Sequence, residues 1–154
     1  MQKLPYWDYA FRLFILREHI VEATMNKNDE NKSKAEIREL IEKVWDAACK
    51  ADVERIFTFF TDTLPVGVIY GALLPTREDF MSTFRQSFAR IKNQDFEIKD
   101  SQIAILAPTV AVATNYIHFT SYYKDGTSHT GDIRVTLVLV KEGSDWKFMH
   151  LHES

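Results

Sequence analysis

Tyr116, His118, Arg134, Thr136 and Glu153 are the residues of this 154-residue chain whose types and spacing could do acid/base chemistry. If their strands run unbroken, the two-residue alternation of extended chain puts all five on one side. An imidazole titrates near neutral pH, and a carboxylate beside it raises its basicity and fixes its orientation. His118 and Glu153 are therefore the candidate catalytic pair. Tyr116 or Arg134 would stabilise an anionic oxygen, and Thr136 would set ligand preference. The same five would equally make a self-satisfied polar cluster in a partly wet core. His150 and His152, two apart on the terminal strand, project to one face as metal ligands would. No third ligand is evident, so hydrogen bonding at an interface is preferred, and neither metal nor cofactor is expected.

The elements that must hold these residues can be read from periodicity and turn chemistry. Ser33 and Glu36 have the spacing of a capping box, which predicts a helix over 33–50 with Ile37, Leu40, Ile41, Val44, Trp45 and Ala48 on its buried face. Asp52 reads as the cap of a short second helix through Ile56, Phe57, Phe59 and Phe60. Residues 64–74, with Gly67, Gly71 and the following Pro75, suit an irregular strand or hairpin. Thr76 to Asp79 would cap a third helix with Phe80, Phe84, Phe88 and Ile91 as its stripe. From Gln94 the period becomes two, with strands expected at 96–106, 109–124, 131–141 and 146–153 and turns at Asp125-Gly126 and at 142–145. Helices first and an antiparallel meander last predict an α+β domain with a curved sheet against the helices. Trp45 and Tyr70 are candidate lining residues at a cavity mouth, although aromatic stripes at helical spacing usually belong to the core.

Composition bounds the partners. Nineteen basic against 22 acidic residues give a net charge of −3, without a basic cluster interleaved with aromatics, so nucleic acid is not an expected partner. The single cysteine, Cys49, provides neither a disulfide framework nor a thiolate metal site. Residues 6–21 are aromatic and apolar but interrupted by Asp8, Arg12, Arg17 and Glu18, which suits an amphipathic helix and neither a membrane span nor a signal peptide. Residues 1–32 are read as a helical appendage followed by a flexible polar linker, and 33–154 as the domain; Met25 would serve as an alternative start. A cytoplasmic location is expected.

The order of helix, Ala51-Asp52-Val53-Glu54, short helix, aromatic strand, helix and long meander resembles the nuclear transport factor 2-like, or SnoaL-like, superfamily over residues 33–154. The ending from Asp145 to Ser154, with Trp146 and His150-Leu151-His152-Glu153-Ser154, is similar to the terminal Gly-Lys-Trp…His-x-His-x-Ser of the calcium/calmodulin-dependent kinase II association domain. Tyr116-Ile117-His118-Phe119-Thr120-Ser121-Tyr122 resembles the Tyr-Ile-Arg-Leu-Thr-Gln-Tyr strand of that domain. The resemblance implies a conical, cystatin-like fold, with three helices on a strongly curved, mostly antiparallel sheet. It places Val44 and Val68 where a ketosteroid isomerase has its Tyr and its Asp base. It also places His118, Thr136 and Glu153 at arginine positions of the kinase pocket and Met81 at its histidine, so Met81 joins the candidate ligand-binding set. The expected function is binding of a small, largely hydrophobic ligand, with isomerase, cyclase or hydrolase-type acid/base chemistry as its extension. The alternative is a non-catalytic dimerisation or assembly module. A homodimer is expected, because Ile133, Val135, Leu137 and Leu139 form an apolar face that would need cover if the mixed face of the same strand lines the cavity.

Overall fold

The computed structural model describes residues 25–62 and 66–154, so the expected aromatic helix over 6–21 lies outside the described residues. Helix α1 spans Lys27–Cys49, α2 Val53–Thr58 and α3 Arg77–Ala89. Strands β1 (Val66–Ile69) and β2 (Ala72–Leu74) precede α3, and β3 (Ile91–Ala107), β4 (Val110–Tyr123), β5 (Ser128–Glu142) and β6 (Asp145–Glu153) follow it. They form one six-stranded sheet in the order β2-β1-β6-β5-β4-β3. All pairings are antiparallel except β1 with β6, which is parallel and returns the chain's end to the short hairpin.

Helix α1 begins six residues before the expected Ser33 cap. Asn26 is the cap, its side-chain oxygen accepting from the amides of Asn28 and Asp29 at 3.0 and 2.9 Å. Ion pairs Glu30–Lys34 and Lys32–Glu36 support the first turns at i,i+4 spacing. The stretch expected to be a flexible linker is thus helical from Lys27 onward. Ser33 is buried inside the helix, and the Glu36 carboxylate does not return to it. Glu36 instead accepts from Trp146 Nε1 at 3.2 Å and from Lys141 Nζ at 3.3 Å, tying the helix to the last hairpin. The other two caps are as expected: Asp52 accepts from the Arg55 amide at 3.1 Å and Thr76 from the Asp79 amide at 3.1 Å. Ile91 belongs to the start of β3 and not to the stripe of α3, which ends at Ala89.

The core lies between the helices and the inner face of the sheet. Ile37, Ile41 and Val44 of α1 and Phe80 of α3 meet Ala111, Ala113 and Ile117 of β4 and Ile133, Val135, Leu137 and Leu139 of β5. This reverses the expected role of the β5 apolar row, which is covered by the chain's own helices. Ile117, Trp146 and Phe148 follow it inward. The physical reason is area: the unbroken apolar row is the one that burial against helices rewards most, at roughly 25 cal/mol per Å² removed from water.

The short hairpin is seated on an aromatic cluster. Phe57, Phe60, Phe80 and Phe148 meet with ring centroids 5.1–5.4 Å apart. Gly67 allows β1 to lie on this cluster, because a Cβ there would come within 2.8 Å of the Phe80 ring. Gly67→Ala is therefore expected to destabilise the protein by about 1–3 kcal/mol, the usual range for overpacking. The midpoint of urea unfolding checks this.

Candidate functional site

A cavity of about 480 Å³ opens between α1, α3, the β1–β2 hairpin and the inner face of the sheet. Its walls are mostly apolar: Val44, Trp45 and Ala48 from α1, Phe84 and Phe88 from α3, and Ile133, Leu137, Phe148 and Leu151 from the sheet. Val44 and Ala48 follow Ile37 and Ile41 along one stripe of α1, so the helix that seals the core also roofs the cavity.

Glu153 reaches this cavity because of one extra residue in β6. Val138 pairs with His150 but the next residue, Leu139, pairs with Phe148, which leaves Met149 as a bulge. Trp146 and Phe148 point inward before the bulge, and Leu151 and Glu153 point inward after it. Unbroken alternation would have put Glu153 on the opposite side from Phe148. The parallel pairing of β1 with β6 then brings Ile69 opposite Glu153, and the Tyr70 amide donates to the Glu153 carbonyl at 3.1 Å.

Tyr70 and Gly71 form the two-residue turn of the hairpin with φ of 47° and 81°. Such a turn favours Asn-Gly, and a tyrosine in the left-handed region carries strain of order 1–3 kcal/mol. What the tyrosine supplies is a phenol on the Glu153 carboxylate. The residue as a whole is 69% exposed. Partial desolvation, followed by the Glu153 charge and the hydrogen bond to it, pushes the Tyr70 phenol up to about 12, with a further contribution from Tyr123. Burial likewise pushes the Glu153 carboxyl above the usual glutamate range, opposed by the hydrogen bond from Tyr70. A carboxyl and two phenols therefore converge at one side of an apolar chamber.

The other polar lining groups are Thr83 and Ser87 of α3, Gln94 of β3, and Ser121 and His129 toward the far end of the β4–β5 hairpin. Ser121 donates to Gln94 Oε1 at 2.9 Å and Gln94 Nε2 donates to the Ala48 carbonyl at 3.0 Å, a satisfied bridge from β4 through β3 to α1. His129 stands opposite Ser121 and lies 5.7 Å from the Phe119 ring between centroids. Among the described residues, three buried side-chain atoms have no partner: Nε1 of Trp45, and both Nδ2 and Oδ1 of Asn115. Each such group costs about 1–3 kcal/mol when left unpaired.

Of the expected site residues, the cavity gathers Glu153, Trp45 and Tyr70. Met81 is half-buried and packs on the core without lining the cavity. Tyr116, His118, Arg134 and Thr136 do share one side, but it is the outer face of the sheet, so the expected His118–Glu153 pair does not form. His118 Nδ1 lies 2.8 Å from Asp132 Oδ1 instead, with side chains 40% and 50% exposed. The hydrogen bond from His118 holds the Asp132 carboxyl below its usual range. The Arg134 guanidinium sits 5.3 Å from the centre of the Tyr116 ring. His150 and His152 join this outer face opposite Val138 and Thr136. Sequence reasoning missed Gln94, Ser121, Tyr123 and His129; the signal was there in the period, since Phe119, Ser121 and Tyr123 continue the phase of Ile117.

A family model described as SnoaL-like domain matches residues 37–154. The chain belongs to this family. No curated protein matches it. Among solved structures, this SnoaL-like chain is similar to a nuclear transport factor 2-like superfamily protein from Salmonella enterica, at 19% identity and a TM-score of 0.75 over 81% of this chain and 92% of that one. It is also similar to a putative scytalone dehydratase from Novosphingobium aromaticivorans, at 12% identity and a TM-score of 0.74 over 82% and 85%. A putative calcium/calmodulin-dependent protein kinase II association domain from Xanthomonas campestris matches at 18% identity and a TM-score of 0.68 over 77% and 84%. These likenesses show the fold: three helices against a curved, mostly antiparallel sheet. Among the described residues no helix is long and apolar enough to cross a membrane.

The raised Glu153 carboxyl has a consequence for stability. A folded-state pKa above the unfolded value favours the protonated form, so its contribution is fully present below the unfolded glutamate value and is lost as pH rises through the folded one. Wild type should lose stability over that window and Glu153→Gln should not. Thermal midpoints of the two proteins, measured from mildly acidic to neutral pH, test this; parallel curves would remove the buried-acid assignment.

Proposed function

We propose that the chain binds a small, largely hydrophobic ligand in the inner cavity and that Glu153, hydrogen-bonded to Tyr70, exchanges a proton with it. The observation that supports this reading is a carboxyl of raised pKa lining an apolar chamber. Such a group changes protonation closer to neutrality than an ordinary glutamate, which suits a general acid or base. Tyr70 would orient the carboxylate and offer a donor to a developing oxyanion. The reading agrees with a family neighbour named as a putative scytalone dehydratase, while the fold alone selects no reaction. A cytoplasmic location belongs to the same proposal, since a lone free cysteine suits a reducing compartment.

Non-catalytic assembly is the second reading, and homodimerisation belongs with it. Its support is the outer sheet face, where Tyr116, His118, Asp132 and Arg134 form a broad surface carrying both charge signs. The neighbour named as a putative kinase association domain agrees with it. Sedimentation at micromolar concentration checks the dimer: a second copy on this face predicts dissociation in Arg134→Glu, and a monomeric wild type would exclude it.

Turnover in a panel of hydrophobic ketones, epoxides and polyketide-like compounds separates the two readings. Glu153→Gln should lower any turnover by about 10²–10⁴-fold, the usual contribution of a positioned acid or base. Tyr70→Phe should retain part of it, and His118→Ala should leave it unchanged. Ligand binding without turnover, insensitive to Glu153→Gln, would keep the binding cavity and remove the proton-exchange role of Glu153; neither binding nor turnover would favour the assembly reading.

A further inference from the structure

Among the described residues that line the cavity, His129 is the one imidazole, and the chemistry proposed for Glu153 makes no use of it. It is exposed, near the turn of the β4–β5 hairpin, and starts the inward-facing row of β5 that continues through Gly131 to Ile133. Its ring lies back along that row. A Cβ at Gly131 would stand 3.7 Å from His129 Nε2 and 3.0 Å from the Phe119 ring, so the ring nitrogen and Phe119 share the space over a glycine. Gly131 pairs with Phe119 and is not one of the glycines with positive φ. The strand therefore uses its missing side chain and not its backbone freedom.

The neighbouring polar groups are already engaged. Ser121, the cross-strand partner of His129, is buried and donates its proton to Gln94 Oε1, and Gln94 in turn donates to the Ala48 carbonyl. Among the described residues the imidazole contacts the Phe119 ring and has no hydrogen bond to either nitrogen. A neutral imidazole offers one donor and one acceptor, so it suits a hydroxyl or a carbonyl oxygen alike. The same ring ends an aromatic wall. Between centroids Trp45 lies 5.1 Å from Phe96, Phe96 6.4 Å from Phe119, and Phe119 5.7 Å from His129, and all four residues line the cavity.

We infer that His129 is a second ligand-contacting residue of the cavity, holding the oxygen of a flat, unsaturated ligand, a phenol or a conjugated ketone, whose ring lies against the Phe96–Phe119 wall. This rests on the cavity being the ligand site. Aromatic side chains gain offset-stacked or edge-to-face contacts from a planar ring beyond the area it buries. No Lys or Arg is among the described lining residues, so a carboxylate or phosphate would have no permanent counter-ion. Glu153 pairs with Val135, six residues further along β5, which makes the imidazole a separate point of contact from the Glu153–Tyr70 pair. An oxygen held by His129 leaves another part of the ligand to meet Glu153.

Two probes of nearly equal shape test this on the full chain: β-naphthol and β-methylnaphthalene, titrated by calorimetry. The readout is the ratio of their affinities, in which the ring burial common to both cancels. His129→Phe keeps a ring at the end of the wall and removes both nitrogens. It should lower the preference for β-naphthol by about tenfold, the loss of one hydrogen bond, and leave the β-methylnaphthalene affinity and the thermal midpoint in place. In the wild-type protein the ring-nitrogen resonances of His129 should move with β-naphthol and stay put with β-methylnaphthalene. A ratio that His129→Phe leaves unchanged, or ring-nitrogen resonances that β-naphthol leaves unmoved, would overturn the inference. If Glu153→Gln lowers the ratio and His129→Phe does not, the oxygen goes to Glu153, so the His129 contact is wrong and the cavity reading stands. If neither probe binds wild type, both fall.

Discussion

The candidate site depends on the phase of a single strand. Side chains alternate strictly along an extended chain, so one inserted residue transfers everything after it to the other face. Met149 is that residue in β6. Before it, Trp146 and Phe148 complete the aromatic core; after it, Leu151 stays inward and Glu153 follows. Without the bulge the last carboxylate would join His118 and Arg134 on the outside, and the described cavity would lose its carboxyl. Bulges are common at sites that need one side chain re-aimed, and here the re-aimed side chain is an acid.

A second constraint acts on the same carboxylate from the hairpin. β1 runs parallel to β6, and its turn residue is forced into a left-handed conformation directly beside Glu153. Glycine at the neighbouring position and at Gly67 allows the hairpin to close tightly and to rest on Phe80. A tyrosine is a poor choice for the turn by conformational preference alone. Its contact with a buried acid accounts for the choice, and the two groups raise each other's dependence on the folded geometry. The strain and the desolvated carboxyl are therefore parts of one arrangement.

The two faces of the sheet divide chemistry from surface. Inside, the Glu153 carboxyl, touched by the largely exposed Tyr70, and an unpaired amide are set among aliphatic and aromatic walls. Outside, His118–Asp132 and Arg134–Tyr116 are exposed pairs, of a kind that contributes little to stability in water. Both faces carry residues that a chemist would select from a list. Low dielectric and enclosure distinguish them, since a titratable group is tuned by desolvation on the inside and screened by solvent on the outside.

Local interactions made much of the fold legible in the sequence. The caps at Asp52 and Thr76, the Gly-containing turns and the change of period after α3 are short-range effects, and together with the terminal Trp and His-x-His-Glu-Ser pattern they identified an α+β domain of the SnoaL-like kind. The start of α1 was missed because Ser33 and Glu36 imitate a capping box, while Asn26 caps a stretch with no apolar stripe to betray it. Trp45, Tyr70 and Glu153 were legible as candidate lining or catalytic residues. Their association was not, because the bulge at Met149, the parallel return of β6 to β1, and the choice of which face of β5 the helices cover are long-range decisions. Periodicity states that two faces differ; only packing decides which one is inside, and that decision moved Tyr116, His118, Arg134 and Thr136 out and revealed Gln94, Ser121, Tyr123, His129 and the unpaired Asn115 within.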